Sequence, residues 1–345
     1  MSPVPQSIIR ALSLSPDPSK SSLSGLGSGF STTGRITARV SSNTGEEDKE
    51  RKFFVKTSPD GEEMFRGEYA SLNAIADSVP GFCPRALAWG SLLEEKKKGH
   101  FLVTEFLDLG GGGGARGSKK STLAQSLGKL HTTPAPPPPD GDKPMFGFPV
   151  ATFCGDSRQP NKFRESWADF YANERLMMIL AESERRNGSD RHLRDLVEQT
   201  SFVVVPRLLG DEHLGYDKKN GTGQGIFPVV VHGDLWSGNA SRGRIVRGPG
   251  EEETEVSDVV YDPCACYAHN EYELGIMHMF GGFGRAFFDE YHKIVPKTEP
   301  VEEYDDRVKL YELYHHLNHH AIFGGGYRSG AVSIMTRLIN KYGKA

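Results

Sequence analysis

Apolar and polar positions in the N-terminal third change period several times. Ile8, Ile9 and Leu12 form a short helical patch between prolines. The run LGSGFSTTGRITARV is glycine-rich and then alternates, which predicts a strand, a turn and a second strand. Residues 41–51, SSNTGEEDKER, read as a charged hairpin tip, and FFVKT (Phe53 to Thr57) as the next strand. From Glu62 to Ala76 the period changes. Met64, Leu72 and Ile75, with Phe65 and Ala76 beside them, recur about every 3.6 residues, predicting a helix that Pro80 and Pro84 close. ALAWGSLL and HFLVTEFL follow as two more strands. The order is β-β-β-α-β-β, a small α+β lobe over residues 1–107.

The run GGGGG at 110–114 is a flexible joint, because glycine loses the most freedom on ordering. Beyond it TLAQSLGKLH is helical, and PAPPPP at 134–139 is a polyproline spacer on the surface, read ahead of an SH3-type ligand. Helical periodicity dominates 163–184, 190–200, 270–292 and 303–340. A β-rich island interrupts it, PVVVHGDLWSGNASRGRIV followed by VSDVVYDP. Residues 108–345 therefore form a larger helical lobe with an embedded hairpin. The fold class is α+β, bilobal and protein-kinase-like.

Composition narrows the chemistry. Of 345 residues 37% are hydrophobic and 25% charged, enough apolar mass for a packed core. Gly 40 and Pro 21 stay well under the roughly 25–30% share of low-complexity chains. The formal charge of -4 argues against a nucleic-acid partner, which favours a basic excess. Cys83, Cys154, Cys264 and Cys266 have neither disulfide-framework nor zinc-knuckle spacing. No apolar run is long enough to span a bilayer, and MSPVPQSIIR lacks a secretory n-region, so the expectation is a cytoplasmic protein without a membrane partner.

The strongest local signal is HGDLWSGN, His232 to Asn239, entered from an apolar strand. Asp234 and Asn239 have the spacing of the kinase catalytic loop H-x-D-x-x-x-x-N. Phosphoryl transfer to a hydroxyl needs a carboxylate that accepts its proton and an amide oxygen nearby for Mg2+. Alone, the pair would more often be a turn capped by its own side chains. Downstream, VVYDP ends an apolar strand in Asp262, the place for a second Mg2+ carboxylate. Lys56 sits inside the apolar strand FFVK, and Glu68 falls on the core face of the following helix; pairing explains both buried charges better than solvation. Such a pair holds a lysine against the α- and β-phosphates of ATP. Gly27 and Gly29 lie before the first strand pair, where backbone amides could approach phosphates, although G-x-G-x-x-G is not met. LVTEFL is the hinge, with the backbone of Glu105 and Leu107 facing adenine and Thr104 flanking the pocket. Gly233 replaces the Arg of H-R-D, Asp262-Pro263-Cys264 replaces D-F-G, and no A-P-E follows. These departures describe a constitutive kinase for a small or exposed chemical group, not a regulated peptide kinase.

HGDLWSGN, YDPCACYAHNEYELGIMHMFGGFGRAFFDEYH and LYHHLNHHAIFGGGYRSGAVSIMTRLI closely resemble the fructosamine-3-kinase (ketosamine-3-kinase, protein-ribulosamine 3-kinase) family, as do FVKT and MFRGEYASLNAI. The resemblance spans about residues 20–340. It implies an aminoglycoside-phosphotransferase-like kinase fold and ATP- and Mg2+-dependent phosphorylation of the 3-hydroxyl of ketosamines. These are ribulosamine and fructosamine adducts on protein lysines or small amines. The 3-phosphoester eliminates and frees the amine, which amounts to protein deglycation. Position by position, the resemblance makes Asp234 the catalytic base, Asn239 and Asp262 the metal ligands, and Lys56 and Glu68 the phosphate-holding pair. It places Trp236 beside the base, where a flat ring stacks on a sugar. His269 and Glu271 match the segment Y-G-H-x-E, with Ala268 for its glycine, and either contact substrate or buttress the metal-binding loop.

Asn318 and His319 are implied to line the substrate cleft, with Ala321 replacing an asparagine of relatives. His315, His316, His319 and His320 lack a third ligand at metal spacing, so a transition-metal site is not the reading taken. Phe30 stands where many members carry a cysteine, so redox control at that loop should not transfer. Cys264 and Cys266 are read as small packing residues. The family's range outside vertebrates leans toward ribulosamines. Two other readings stand beside this one: a kinase for another hydroxylated metabolite of aminoglycoside or choline type, and a silent ATP-binding scaffold.

Overall fold

Side-chain parity in the central strands sorts the small sheet into two faces. The computed structural model describes residues 2–29, 31–40, 49–94, 97–109, 121–247 and 255–343. The glycine joint at 110–114, Phe30 and most of the charged tip at 41–51 lie outside these. Strands β1 (Ser21–Ser28), β2 (Thr32–Val40) and β3 (Lys49–Ser58) form an antiparallel meander, and β3 pairs with β5 (Lys97–Asp108). The other edge of β5 carries β4 (Ala86–Glu94) along residues 97–104. Ile36, Phe53, Val55, Phe101 and Val103 point to one face and close over Ile8 and Ile9 of helix α1 (Gln6–Ala11). Because successive strand side chains alternate, Phe54 and Lys56 point to the other face. Helix α2 (Glu62–Ser78) lies there, burying Phe65, Leu72, Ile75 and Ala76. Full burial of each such side chain is worth about 1.5–3 kcal/mol.

Contacts divide the chain into two compact units, one of residues 1–126 with 239–263, the other of 127–238 with 264–345. The sequence reading put the β-rich island wholly with the helical half. Instead Ala240–Val246 pairs antiparallel with Phe106 to Asp108 of β5, and Ser257–Val260 pairs with Ala240–Val246. The hairpin thus extends the first unit's sheet. The glycine run likewise differs from expectation. Gly25 and Gly27 lie inside β1 at a register shift, and the Gly29 N–H donates to the Ser31 carbonyl in the turn that follows.

The second unit is helical, and its helices break where glycine allows. The expected 270–292 is two helices, Tyr272–Phe280 and Arg285–Ile294, separated at Gly281 and Gly282, both left-handed. The expected 303–340 is Tyr304–Phe323 and Tyr327–Tyr342, interrupted at left-handed Gly324 and Gly325. Trp167 anchors the unit, packed by Phe170, Tyr171, Tyr272 and Tyr311, and its indole N–H donates to the Tyr311 hydroxyl at 2.9 Å. The short strands Val229–Val231 and Cys266–Ala268 pair antiparallel and carry HGDLWSGN and the segment around Cys264 from adjacent ends. Among the described residues no helix is long and apolar enough to cross a membrane.

Candidate active site

In the first unit the Lys56 ammonium lies 2.7 Å from Glu68 Oε1 and 2.7 Å from Asp262 Oδ1. Strand parity aims Lys56 at α2, the helix face of Glu68 meets it, and the hairpin returns Asp262 to the same place. The Lys56 and Glu68 side chains are each 12% exposed, that of Asp262 52%. Burial works against the ammonium, but the two carboxylates outweigh it and hold Lys56 above the ordinary lysine range. Burial lifts Glu68 above the usual carboxylate range, with Lys56 opposing and Asp262 adding to the rise. Asp262 takes a left-handed backbone with φ 58°, a conformation aspartate tolerates better than most residues. Ala240 faces Val260 in the hairpin, and the Tyr261 N–H donates to the Asn239 carbonyl at 3.1 Å. Asn239 and Asp262 therefore flank the same end of the hairpin. Both offer hard oxygen donors of the kind Mg2+ takes, so the residues fit that ion.

A cavity of about 290 Å³ adjoins this cluster. Leu26, Phe54, Leu72, Thr104, Leu107 and Tyr261 give it largely apolar walls, and Glu68 and Asp262 stand at its charged end. Its size is near the lower bound for small-molecule sites, about 300 Å³. Glu105 and Leu107 line it as expected of a hinge, but the Glu105 N–H already donates to the Arg85 carbonyl at 2.9 Å. The Glu105 carbonyl accepts from the Thr104 hydroxyl at 2.8 Å. Of the glycine run, Leu26 lines the cavity but neither Gly27 nor Gly29 does.

In the second unit HGDLWSGN turns tightly after Val231. Gly233 has φ 86°, and a Cβ there would strike the Cys264 carbonyl oxygen. The arginine of H-R-D therefore has no room. The N–H groups of His232 and Gly233 both donate to the buried carboxylate of Glu273. Burial pushes Glu273 up, but the facing His131 and the His232 N–H hold it below its usual range. The Asp234 N–H donates to His232 Nδ1 at 3.3 Å, and the Asp234 carbonyl accepts from the Trp236 N–H at 3.0 Å. Trp236 is 41% exposed, with Phe280 at 6.2 Å, and Phe280 meets His319 edge-on at 5.2 Å. A side chain at Gly238 would run into the Trp236 indole, and one at Gly282 into Ser237. These glycines let the aromatic surface assemble beside the turn.

Two implied substrate contacts are not placed for that role. His269 is buried, with Nδ1 bonded to the Tyr311 hydroxyl and Nε2 to the Thr298 hydroxyl, both at 2.8 Å. Neither nitrogen is left for a ligand, and His269 and Glu271 act as internal supports. Asn318 is also buried, its amide donating to the Cys154 carbonyl at 3.2 Å. His319 alone of the pair joins the aromatic surface.

Residues 29–341 match the sequence pattern of fructosamine kinase. The chain belongs to the fructosamine kinase family. It is 32% identical over 309 residues to mouse ketosamine-3-kinase, covering 84% of this chain and 89% of that one. It is 34% identical over 284 residues to a chloroplastic protein-ribulosamine 3-kinase of Oryza sativa subsp. indica, covering 82% and 71%. A solved structure from Thermobifida fusca, named as a candidate fructosamine-3-kinase, superposes with a TM-score of 0.69 at 21% identity over 98% of this chain and 99% of that one. The protein-kinase-like α+β fold is thus common to the family and this chain.

Sequence reasoning missed three buried charges in this member of the family. Glu273 holds the HGD turn, as above. Arg307 pairs with Glu271 at 2.7 Å with neither side chain exposed. Arg175 is enclosed, donating to Asn161 Oδ1 at 2.8 Å and the Tyr272 hydroxyl at 3.2 Å. No local pattern marks them. Their burial is explained only by partners that lie far off along the chain.

Proposed function

We propose that this chain is an ATP- and Mg2+-dependent ketosamine 3-kinase acting on ribulosamine and fructosamine adducts of lysine. The observation that carries the reading is Lys56 clamped between Glu68 and Asp262 at the edge of an apolar cavity. In this reading Lys56 holds the α- and β-phosphates, and Thr104, Glu105 and Leu107 surround the base. Asn239 and Asp262 hold Mg2+, which when bound neutralises charge on the phosphates. The Asp234 carboxylate orients the sugar 3-hydroxyl and accepts its proton as the new bond forms. Trp236, half-exposed beside Phe280, offers an aromatic face to the apolar side of the sugar. The names of the mouse and rice relatives support the substrate class, and the rice name supports protein-bound ribulosamines. Elimination of the 3-phosphate as inorganic phosphate leaves an imine to the lysine nitrogen, and water hydrolyses that imine to free the lysine.

The test is ADP release with ribulose-lysine and fructose-lysine side by side. We expect turnover of both, faster with the ribulose adduct. Asp234→Asn should lower kcat by about 10²–10⁴-fold while nucleotide binding persists. Clearly faster turnover of fructose-lysine overturns the preference. A folded protein that binds ATP and turns over neither adduct overturns the reading.

A further inference from the structure

Cys154, Asp234 and His315 come from distant parts of the second unit: a short hairpin strand, the HGD turn and the middle of Tyr304–Phe323. Yet one donor atom from each lies within 4.8 Å of the other two. Neither ring nitrogen of His315 has a hydrogen-bond partner, although the residue is only 1% exposed. Leaving such a buried polar group unmatched is destabilising, so this imidazole is arranged for something beyond packing. The buried Oδ1 of Asn318, one turn further on, lacks a partner as well.

Sulfur, imidazole nitrogen and carboxylate oxygen together form a donor set for zinc-like divalent ions. Mg2+ takes oxygen ligands and is poorly served by this set. We infer that Cys154, Asp234 and His315 bind a divalent transition metal of the zinc type, and that the bound ion withdraws the Asp234 carboxylate from phosphoryl transfer. The inhibitory half rests on the proposed role of Asp234 as base; the metal site does not. One thiolate and one carboxylate match the charge of the ion, so the occupied site buries no net charge. The four clustered histidines thus supply one ligand, and its partners lie 81 and 161 residues before it in the chain.

The test is a Co2+ titration of the reduced full-length protein without nucleotide or sugar. We expect a thiolate-to-cobalt charge-transfer band and tetrahedral visible bands that saturate at one equivalent and are displaced by Zn2+. Cys154→Ser and His315→Gln should each weaken cobalt binding at least tenfold. Asp234→Asn, on a partly exposed turn, should do the same and keeps the test open if the core variants misfold. Zn2+ should also slow ketosamine phosphorylation in excess Mg2+, and Cys154→Ser should need at least tenfold more Zn2+ for the same fractional loss of its own metal-free rate. No thiolate–cobalt band in folded protein, or a band unchanged in the folded variants, overturns the site. Cobalt binding without Zn2+ inhibition overturns the regulatory half. Cobalt binding by a protein that phosphorylates no ketosamine supports the site while sinking the proposed function.

Discussion

At Gly233 the backbone itself carries function. Its left-handed φ of 86° turns Asp234 out of the strand, and the Cys264 carbonyl fills the space where a Cβ would sit. Gly233→Ala therefore meets two costs, about 1–2 kcal/mol for the left-handed backbone and a further clash with main chain that has no free rotamer to yield. We expect at least about 2 kcal/mol of lost stability in urea unfolding; a change within 0.5 kcal/mol would mean the turn relaxes freely. The glycine was visible in the sequence as a departure from H-R-D, but its reason was not, because the Cys264 carbonyl approaches from a distant segment. Lys56, Glu68 and Asp262 were legible for the opposite reason. Strand parity, helix face and strand end each restrict where a charge can point, and those local rules sufficed. Glu273 obeys no such rule: it stands in the first turn of a helix, where an acidic residue is ordinary.

Among elements, the histidine-bearing helices and loops of the second unit set its response to acid. Burial holds His269 at about 4, with Glu271 opposing, and burial also holds His315 well below the ordinary histidine value. Below pH 6.5 the unfolded chain takes up a proton at His269 that the folded chain refuses until about pH 4. Stability contributed by the neutral ring is therefore present above pH 6.5 and is lost as pH falls through that window. For His269 alone the loss is on the order of 3 kcal/mol by pH 4. Urea unfolding at pH 7.5, 6 and 5 should show it, and His269→Gln, which can keep bonds to Tyr311 and Thr298, should flatten the slope. An unchanged slope would remove His269 as the cause. These elements were only partly legible. Apolar periodicity runs through both Phe280 to Arg285 and Phe323 to Tyr327, so it predicted single helices. The glycines at 281, 282, 324 and 325 decide otherwise by taking left-handed backbone that a helix cannot continue.

For the molecule as a whole, chain order and spatial membership differ. The β-β-β-α-β-β order was readable because each element announces its own period. That residues 239–263 join the first unit was not, since pairing of Ala240–Val246 with β5 is a long-range choice that leaves no local mark. Its consequence is that Lys56, Glu68, Asn239, Asp262 and the cavity all belong to one unit, whereas Asp234 and Trp236 belong to the other. The proposed nucleotide contacts can therefore be tested by where binding is felt. A ligand that binds only the folded state at 100 times its Kd adds about 2.7 kcal/mol, roughly a hundredfold slowing of exchange at amides that open only with the unit that binds it. With Mg-ATP at that concentration, hydrogen exchange should slow by up to about that factor in β3, α2, β5 and the strands Ala240–Val246 and Ser257–Val260. Lys56→Met should abolish the effect by removing the phosphate-holding cation while leaving the apolar strand able to pack. Protection confined to Tyr304–Phe323 and Tyr327–Tyr342, or full protection surviving in Lys56→Met, would place the nucleotide elsewhere.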